Sequence, residues 1–362
     1  MVHESRLMVK GALTKNIIEV MAENKRQHFV PQVLQRCFST NLKSIGEYLI
    51  EADSCFITSI ASTAQIPNFY KVNEQDRTSI EKVYGNIETC VGPILKRIQE
   101  RDIKLKDEEV ECLFLFVVSQ LMRTPKAAKA MGAVLDFCEK KGIRPVQEEI
   151  ESGIRTHDNL PMQSSLGIPD VAERLSDKGY VFVSNNTNKK FLLSDNPACL
   201  FSPVAELAIE KQIWDRMMVQ APFSGYMLYL PLGPEMGMIC FDDDYYDFGH
   251  DICVAATEHD VKMLNALEVV NASNYVLFQD GTFNKEDVEE ALVARKSEKV
   301  REHEESIYTP IDKSFSLSWV NLDEDKLIYD INRFALLKPV ENNALKLLKN
   351  NIENKNHRVV EL

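Results

Sequence analysis

A histidine, a proline and a glutamine stand close together near the start of the chain, at His28, Pro31 and Gln32. Imidazole is the side chain whose ordinary pKa lies nearest neutrality, so His28 is a candidate general acid or base. Gln32 would lie one helical turn further on, where it could orient a water or a carbonyl group. Lys25 and Arg26 precede the histidine and are candidate substrate-binding residues. The competing interpretation is an ordinary histidine that caps a neighbouring carbonyl at a chain reversal.

A second group of polar residues, Gln120 and Arg123, lies one turn apart on a predicted long helix. The planar guanidinium of Arg123 suits a phosphate or a carboxylate, and Gln120 beside it is a candidate substrate-binding residue. The alternative for Arg123 is a structural salt bridge to Glu81 or Glu88. These two glutamates share one flank of an earlier helix. They are candidate ligands of a divalent metal or candidate bases, or else they belong to a solvated face.

A third group is the turn from Ser194 to Pro197, which follows an apolar run. Asp195 could hold a metal or orient the histidine, and Asn196 is a candidate substrate-binding residue. The alternative is an Asx-turn, in which these side chains bond their own backbone. Asn265, a further candidate substrate-binding residue, falls with Glu268 inside the apolar face of a later helix. Buried polar groups need partners, so the pair either lines a cavity or stitches the core.

Composition and the absence of familiar motifs narrow the function classes. A net charge of −13 argues against non-specific coating of nucleic acid, but it leaves room for a nucleotide or a single-stranded end. No glycine-rich phosphate loop, GxSxG, HExxH or zinc-finger spacing occurs, which disfavours P-loop NTPases, α/β-hydrolases and zincins. Eight cysteines without CxxC spacing predict reduced, mostly buried thiols. We see no signal peptide and no apolar run long enough to span a membrane, which predicts a cytoplasmic protein.

The order of the predicted elements, helices first and then strands with a helix, favours an α+β fold. We expect a helical N-terminal half packed with a mostly antiparallel sheet in the second half. Helical periodicity covers 80–98 and 107–140, with a kink or restart expected at Pro93 and Pro125. Strand patterns at 180–183 and 190–193, joined by four polar residues, predict a hairpin. The other predicted strands are 48–50, 54–60, 226–230, 237–241, 274–278 and 314–320, and a helix with a capping box is predicted over 257–271.

The same patterns predict three regions along the chain. Residues 1–24 form an arm, and 25–280 form a single α+β domain with an insertion at about 145–178. Residues 281–362 form a charged helical extension. Within it, 284–305 is a charged helix with little apolar face, which predicts a surface for a protein partner or for a homo-oligomer.

Taken in order, these motifs resemble a microbial family known only as domain-of-unknown-function family 4238. The resemblance rests on His28 with Pro31 and Gln32, on the triplet 123–125, and on the turn 194–197. Phe38, the pair Pro231-Leu232 and Asn265 complete it, so that it runs from about residue 25 to residue 278. Gln27 departs from the family pattern, which has an aromatic residue or histidine there. The resemblance groups the polar residues and implies no established activity.

Two hypotheses of different class follow. In the first, the chain is a hydrolase of phosphodiester or phosphate substrates, nuclease-like and suited to a role in defence or toxicity. His28 is then the general acid or base, and Gln32 orients a water or a carbonyl group. Arg123 stabilises the phosphate charge, and Asp195 orients the histidine or binds a metal. In the second, the chain is a non-catalytic ligand sensor or interaction module whose polar residues hold the fold together. The cofactor is open, with a divalent metal as the candidate.

Overall fold

The computed structural model describes residues 26–70, 79–141, 160–166, 168, 171–172, 179–201, 227–242, 246, 248, 252–293 and 295. The helices are α1 Gln32–Cys37, α2 Ser79–Gln99, α3 Asp107–Met122, α4 Pro125–Lys141, α5 Leu160–Leu166 and α6 Glu258–Asn271, with a 3-10 helix at Lys285–Val288. The strands are β1 Arg26–His28, β2 Ser44–Leu49, β3 Ser54–Ser59, β4 Gln65–Pro67, β5 Gly179–Asn185, β6 Leu193–Ser194, β7 Cys199–Phe201, β8 Met227–Gly233, β9 Met236–Phe241, β10 Cys253–Ala256 and β11 Tyr275–Phe278.

The strands form three sheets. A five-stranded sheet has the order β10-β5-β9-β8-β7, and a four-stranded sheet has the order β3-β2-β11-β6. Strands β1 and β4 form a separate antiparallel pair. All pairings are antiparallel except that of β10 with β5. The α+β prediction is therefore confirmed, although helix α6 in the second half shows that helices are not confined to the first half.

Helix α6 lies between the two hydrophobic clusters of the core. Val261, Leu264 and Leu267 pack into the larger cluster, with helices α1–α3 and the five-stranded sheet. Ala266 and Val269 pack into the smaller cluster, with the four-stranded sheet and the 3-10 helix. A helix that is covered on more than one side leaves little of its surface to solvent. The buried polar side chains of α6 must therefore find their partners inside the protein.

The two predicted helix interruptions have different outcomes. Pro93 stands inside α2, which continues without a break. The buried side chains of Val91, Ile94 and Leu95 lie on both sides of it. Their packing stabilises the helix by more than the one backbone hydrogen bond that proline removes. At Pro125 the predicted restart is confirmed. Thr124 caps the new helix by accepting a hydrogen bond from Ala127 N at 3.2 Å, and Pro125 takes the first helical position.

The predicted hairpin of 180–183 with 190–193 is wrong. Strand β5 pairs instead with β9 and β10, and β6 belongs to the other sheet. The Asn185 amide donates to Lys189 O at 2.7 Å and its oxygen accepts from Thr187 N at 2.9 Å. These bonds hold the polar loop as a turn of its own. The chain then crosses to the four-stranded sheet instead of returning along β5.

The described start of the charged C-terminal segment is less solvated than its sequence predicts. Val288, Ala291 and Leu292 are buried in the smaller hydrophobic cluster. Arg295 is also buried and donates to Ser273 O at 2.5 Å, beyond the C-terminal end of α6. A cation is favourable there because carbonyl groups converge at a helix C-terminus. The expectation of little apolar face is therefore wrong for residues 285–293.

Two of the eight cysteines differ from the expectation of free thiols. Cys90 and Cys112 form a disulfide that joins α2 to α3, with 6.5 Å between their Cα atoms. Cys55 is a free thiol but is exposed. Residues 1–25, most of 145–178 and residues 296–362 lie outside the described residues, so the predicted arm, insertion and extension stay predictions. Among the described helices, none is both long and apolar enough to cross a membrane.

Candidate functional site

His28 is presented by a tight connection between β1 and α1. Strand β1 pairs with β4, and the following Phe29 N donates to Ala64 O at 2.9 Å. Pro31 then sets the entry to α1, with its carbonyl accepting from Leu34 N at 3.0 Å. The fixed φ of proline favours this entry. The sequence pattern thus places the His28 side chain against the first turn of the next helix.

Three polar side chains form a chain of hydrogen bonds at this turn, which we name the His28 relay: His28, Gln32 and Arg36. Arg36 Nη2 donates to Gln32 Oε1 at 2.5 Å, and Gln32 Nε2 lies 3.2 Å from His28 Nε2. Because the Gln32 oxygen accepts from arginine, its amide nitrogen faces the ring and donates to it. His28 Nε2 is then the acceptor, and a neutral ring carries its proton on Nδ1.

A second contact at the same nitrogen gives the ring two states. His28 Nε2 is also 3.3 Å from the carbonyl oxygen of Ile60. That oxygen only accepts, so it suits a ring protonated on Nε2, whereas the Gln32 amide suits the unprotonated nitrogen. His28 can therefore take up or release a proton at Nε2 with a partner on hand in both states. The ring therefore has a protein partner in either protonation state.

Burial favours the neutral form of the His28 imidazole. It lowers the pKa of His28 below its ordinary value, the Arg123 charge lowers it further, and the Ile60 carbonyl and Glu88 oppose the shift. The neutral form therefore dominates at neutral pH, as a base requires. His28 and Gln32 are half-buried while Arg36 is exposed, so the relay runs from the protein to the solvent.

Arg123 is buried on the protein side of the His28 relay, and not at its solvent-exposed end, where Arg36 lies. It is 3% exposed, and its guanidinium donates to Glu88 Oε1 at 2.9 Å and to His28 O at 2.6 Å. Its Nε lies 3.4 Å from Tyr70 OH, and the group stacks 4.0 Å above the Tyr84 ring. All three nitrogens therefore have protein partners. The structural salt bridge that the sequence left open is present, to Glu88.

Glu81 and Glu88 share a flank of α2 as expected, but each has its own partner. Glu81 Oε2 accepts from Gln27 Nε2 at 3.1 Å, and Gln27 Oε1 accepts from Tyr70 N at 2.7 Å. Glu88 forms the ion pair with Arg123. Within the part of the chain that the structure describes, no three His, Cys, Asp or Glu side chains are grouped to hold a metal ion. A metal role for these glutamates stays a prediction.

Asp195 ties strand β6 to the turn that follows α6. Its carboxylate accepts from Ser273 N at 2.6 Å and from Asn274 N at 2.8 Å, and the Asn274 amide adds a third bond at 3.2 Å. The side chain is 2% exposed. These partners occupy both oxygens, and none of the hydrogen bonds that Asp195 forms reaches His28. The structure thus places Asp195 in a closed structural clamp.

The Arg-Thr-Pro and Asp-Asn-Pro motifs meet through Thr124 and Asn196. The Thr124 hydroxyl donates to Asn196 Oδ1, and the Asn196 carbonyl accepts from Asn271 Nδ2 at 2.6 Å. Lys126 Nζ in turn donates to Asn271 Oδ1 at 2.9 Å. Arg123 contacts the His28 side of the molecule while Thr124 contacts the Asn196 side. Neighbouring residues of one motif therefore hold two distant segments together.

Of the remaining predicted substrate-binding residues, Asn265 and Gln120 lie inside the protein, whereas the side chains of Lys25 and Arg26 are outside the described part of the structure. Asn265 on α6 accepts from Leu192 N at 2.9 Å and donates to Lys190 O at 2.8 Å, replacing a strand partner. Gln120 is fully buried; its Nε2 donates to Ser119 Oγ at 2.9 Å. Arg26 begins β1 opposite Pro67, and Lys25 lies outside the described residues. Their predicted contacts with substrate stay predictions.

Glu268 is the most deeply buried carboxyl group of the site region. Its Oε2 accepts from Ser194 N at 2.7 Å, and its Oε1 accepts from the Cys199 thiol at 3.3 Å. Burial raises the pKa of Glu268 to about 8, and these hydrogen bonds oppose the rise only in part. Burial also raises the pKa of Cys199, which keeps it a thiol that donates. Of the two alternatives for Glu268 and Asn265, the structure shows the one in which their side chains hydrogen-bond to other buried segments of the core.

Sequence reasoning missed Arg36, Tyr70 and Tyr84. Arg36 had a usable signal, because it lies four residues after Gln32 on the same helix face. The two tyrosines had none. Tyr70 follows a turn, and Tyr84 is one of several apolar residues at helical spacing along α2, so neither stands out in the sequence. Their contact with Arg123 depends on how separate segments pack.

A family model described as protein of unknown function (DUF4238) matches residues 26–282. Comparison with curated proteins and with solved structures finds no match. The matched range contains the His28 relay, Arg123 with its partners Glu88, Tyr70 and Tyr84, and the Asp195 clamp. It also covers most of the chain. The chain therefore belongs to the DUF4238 family, as its motifs predicted.

Proposed function

We propose that this protein is a hydrolase of phosphodiester or phosphate substrates and that His28 is its general base. The observation that carries the proposal is the His28 relay, in which a half-buried imidazole of lowered pKa connects through Gln32 to an exposed arginine. In this scheme the attacking water, or a ribose 2′-hydroxyl, replaces the Gln32 amide at His28 Nε2 and transfers its proton to that nitrogen. Arg36 binds the phosphate oxygens on the open side of the relay.

Arg123 and Glu88 act as positioning residues in this proposal. Arg123 holds the main chain of His28, and Glu88 holds Arg123, so that the imidazole keeps its place relative to Gln32. A reacting group that is fixed before substrate binds loses less freedom in the transition state. This role replaces the direct phosphate contact proposed for Arg123 from the sequence, because all three guanidinium nitrogens are already engaged.

The substrate we favour is a nucleotide or a single-stranded nucleic acid. The net charge of −13 works against a long duplex, which needs a broad basic surface. A short or single-stranded substrate needs only a local cation, which Arg36 provides and Lys25 and Arg26 could extend. A defence or toxin role would suit such a nuclease, and a divalent metal is the proposed cofactor if one is needed.

The second candidate is a non-catalytic sensor or interaction module. It is favoured by the contacts of Asp195, Asn196 and Asn265, which are occupied by protein partners in the manner of structural ties. The two candidate functions then differ only in the role that they give to the His28 relay. A structural His28 would cap the Ile60 carbonyl and do nothing further.

The test is hydrolysis of bis(p-nitrophenyl) phosphate, a 5′-nucleotide, and single-stranded RNA and DNA, each with Mg²⁺ and with a chelator. We expect His28→Ala to lower the rate roughly 100-fold or more, in line with the loss of a general base, while the unfolding midpoint stays close to that of the unaltered protein. The matched control is His259→Ala, since His259 is an exposed histidine in the first turn of α6.

Two results would reject the hydrolase. One is that the unaltered protein cleaves none of these substrates, which leaves the non-catalytic module. The other is that His28→Ala and His259→Ala retain equal activity, which places the reaction elsewhere. A rate that disappears with the chelator would add the metal to the proposal and leave His28 as the base.

A further inference from the structure

Gln65 is the residue of β4 that lies directly opposite His28. Strands β1 and β4 are antiparallel, with His28 paired to Gln65. The next pair along the ribbon is hydrogen-bonded, because Phe29 N donates to Ala64 O at 2.9 Å. Hydrogen-bonded and non-hydrogen-bonded pairs alternate, so His28 and Gln65 form a pair of the second kind, in which the side chains are closest. Both side chains therefore stand on the same face of the ribbon, with about 5 Å between their Cβ atoms.

The amide oxygen of Gln65 has no hydrogen-bond partner among the described residues. Gln65 Oε1 is buried, and no donor lies within hydrogen-bonding distance of it. A buried acceptor without a donor costs free energy, so such groups are rare in folded proteins. The side chain as a whole is half-buried, as are those of His28 and Gln32 in the relay. A donor that arrives with the substrate would satisfy this oxygen.

The backbone before Gln65 is held in a conformation that residues other than glycine rarely adopt. Ala64 is buried and has a φ of 53°, in the left-handed region. Its carbonyl is held by the hydrogen bond to β1, and Gln35 Nε2 of α1 donates to Thr63 O at 3.3 Å. Strain of this kind persists only where surrounding contacts impose it, and it is frequent at functional sites. Helix α1, which carries two residues of the relay, thus also fixes the segment that presents Gln65.

We propose that Gln65 is a further catalytic residue, which accepts a hydrogen bond from the attacking water and selects water as the nucleophile. This inference rests on the proposed hydrolase. A water molecule has two protons, one for His28 Nε2 and one for Gln65 Oε1. Two acceptors on the same face orient the water, and its lone pair is then free to attack phosphorus. A ribose 2′-hydroxyl has a single proton, so it would leave the Gln65 oxygen without a donor.

The reaction with water cleaves a phosphodiester without help from the ribose. The water oxygen forms a bond to phosphorus while one of its protons passes to His28 Nε2. The bond from phosphorus to the leaving oxygen breaks, and the leaving oxygen keeps the electron pair and takes a proton from solvent. The second proton stays on the new phosphate oxygen, bonded to Gln65. The substrate class therefore includes single-stranded DNA as well as RNA, and the product carries no 2′,3′-cyclic phosphate.

Gln65→Met tests this role in the full-length protein, because methionine is also unbranched but has no amide oxygen. We expect kcat for single-stranded DNA to fall roughly tenfold or more with KM little changed, since the lost hydrogen bond is made to the nucleophile. We also expect the urea midpoint of unfolding to rise, because the variant no longer buries an unsatisfied acceptor. A merely structural glutamine would give a lower midpoint and an unchanged kcat. The matched control is Gln279→Met, which alters another half-buried glutamine.

Gln65→Glu tests the distance to His28 without any substrate. A carboxylate beside the imidazole stabilises its protonated form, so we expect the pKa of His28, followed by NMR titration, to rise by about one pH unit or more. Gln279→Glu should leave that pKa close to its value in the unaltered protein. The other groups that act on the ring are unchanged by the substitution: the Ile60 and Ala61 carbonyls, Glu88 and Arg123. An unchanged pKa in Gln65→Glu would overturn the proposal, because Gln65 would then be too far away to share a water with His28.

The reaction products separate this inference from the hydrolase itself. We expect cleavage of both DNA and RNA, with oxygen from isotopically labelled water in the new phosphate end. Cleavage of RNA alone, ending in a 2′,3′-cyclic phosphate, would keep His28 as the base and overturn the selection of water. An active protein in which Gln65→Met retains full kcat would overturn the role of Gln65 alone. An unaltered protein that cleaves neither substrate would reject the hydrolase and the role of Gln65 with it.

Discussion

The main-chain carbonyl of His28 accepts a hydrogen bond of 2.6 Å from Arg123, a residue 95 positions further along the chain. The same guanidinium forms an ion pair with Glu88 at 2.9 Å. The arginine of one motif therefore fixes the backbone of the histidine of another. This contact explains how two motifs that are distant in sequence can depend on each other without sharing a substrate contact.

The first prediction concerns this contact. Arg123→Met should lower the free energy of unfolding by about 3 kcal/mol, because it leaves Glu88 and the His28 carbonyl without their buried partner. Urea denaturation followed by circular dichroism measures the change. The matched control is Arg101→Ala, whose ion pair with Glu235 is solvent-exposed and should be worth less than about 1 kcal/mol. Unchanged stability of Arg123→Met with loss of activity would instead mean that Arg123 contacts the substrate.

The second prediction uses the raised pKa of Glu268, about 8 in the folded protein. In the unfolded chain the pKa of a glutamate is about 4.3, so between roughly pH 5 and pH 8 the folded state holds a proton that unfolding releases. The stability from this group is present in full below the unfolded pKa. It is lost as the pH rises through the folded pKa, by at most about 1.4 kcal/mol per pH unit.

Glu268→Gln removes the titrating group and keeps an oxygen that can accept from Ser194 N. The variant should therefore show a flatter dependence of stability on pH than the unaltered protein. Urea denaturation at several pH values across this window provides the comparison. Parallel curves for the two proteins would show that Glu268 is already ionised throughout the window, and the account of its burial would be wrong.

The third prediction concerns Arg36. Arg36→Ala should raise KM roughly tenfold for a phosphodiester substrate with a smaller effect on kcat, because a charge-assisted contact to phosphate is lost. Its stability should stay near that of the unaltered protein, since Arg36 is exposed. Lys96→Ala removes an exposed cation from α2 and serves as the control. Equal KM values for the two variants would exclude Arg36 as the phosphate contact.

Local patterns predicted much of the fold. The Thr-Pro pair at 124–125 marks a helix start, and Thr257 with Asp260 forms the expected capping box. These features act over a few residues, so the sequence displays them directly. The path of the chain after β5 could not be predicted. Its polar loop looks like a strand connection, but the partner of Lys190 and Leu192 is the distant amide of Asn265.

The candidate site was predictable in part for the same reason. His28 and Gln32 meet within one turn, and Arg36 extends that spacing along the helix. The partners of Asp195 come from residues 273–274, which only the packed fold brings near. Sequence shows which polar residues lie in apolar surroundings. It does not show whether their hydrogen-bonding groups are already occupied.

The pH dependence of kcat/KM for a single-stranded RNA tests the central claim that His28 is the general base. The account predicts an activity that falls on the acid side with an apparent pKa below about 6.5, because burial lowers the pKa of His28. The residual activity of His28→Ala should lack that acid limb. An acid limb that persists unchanged in His28→Ala would contradict the assignment.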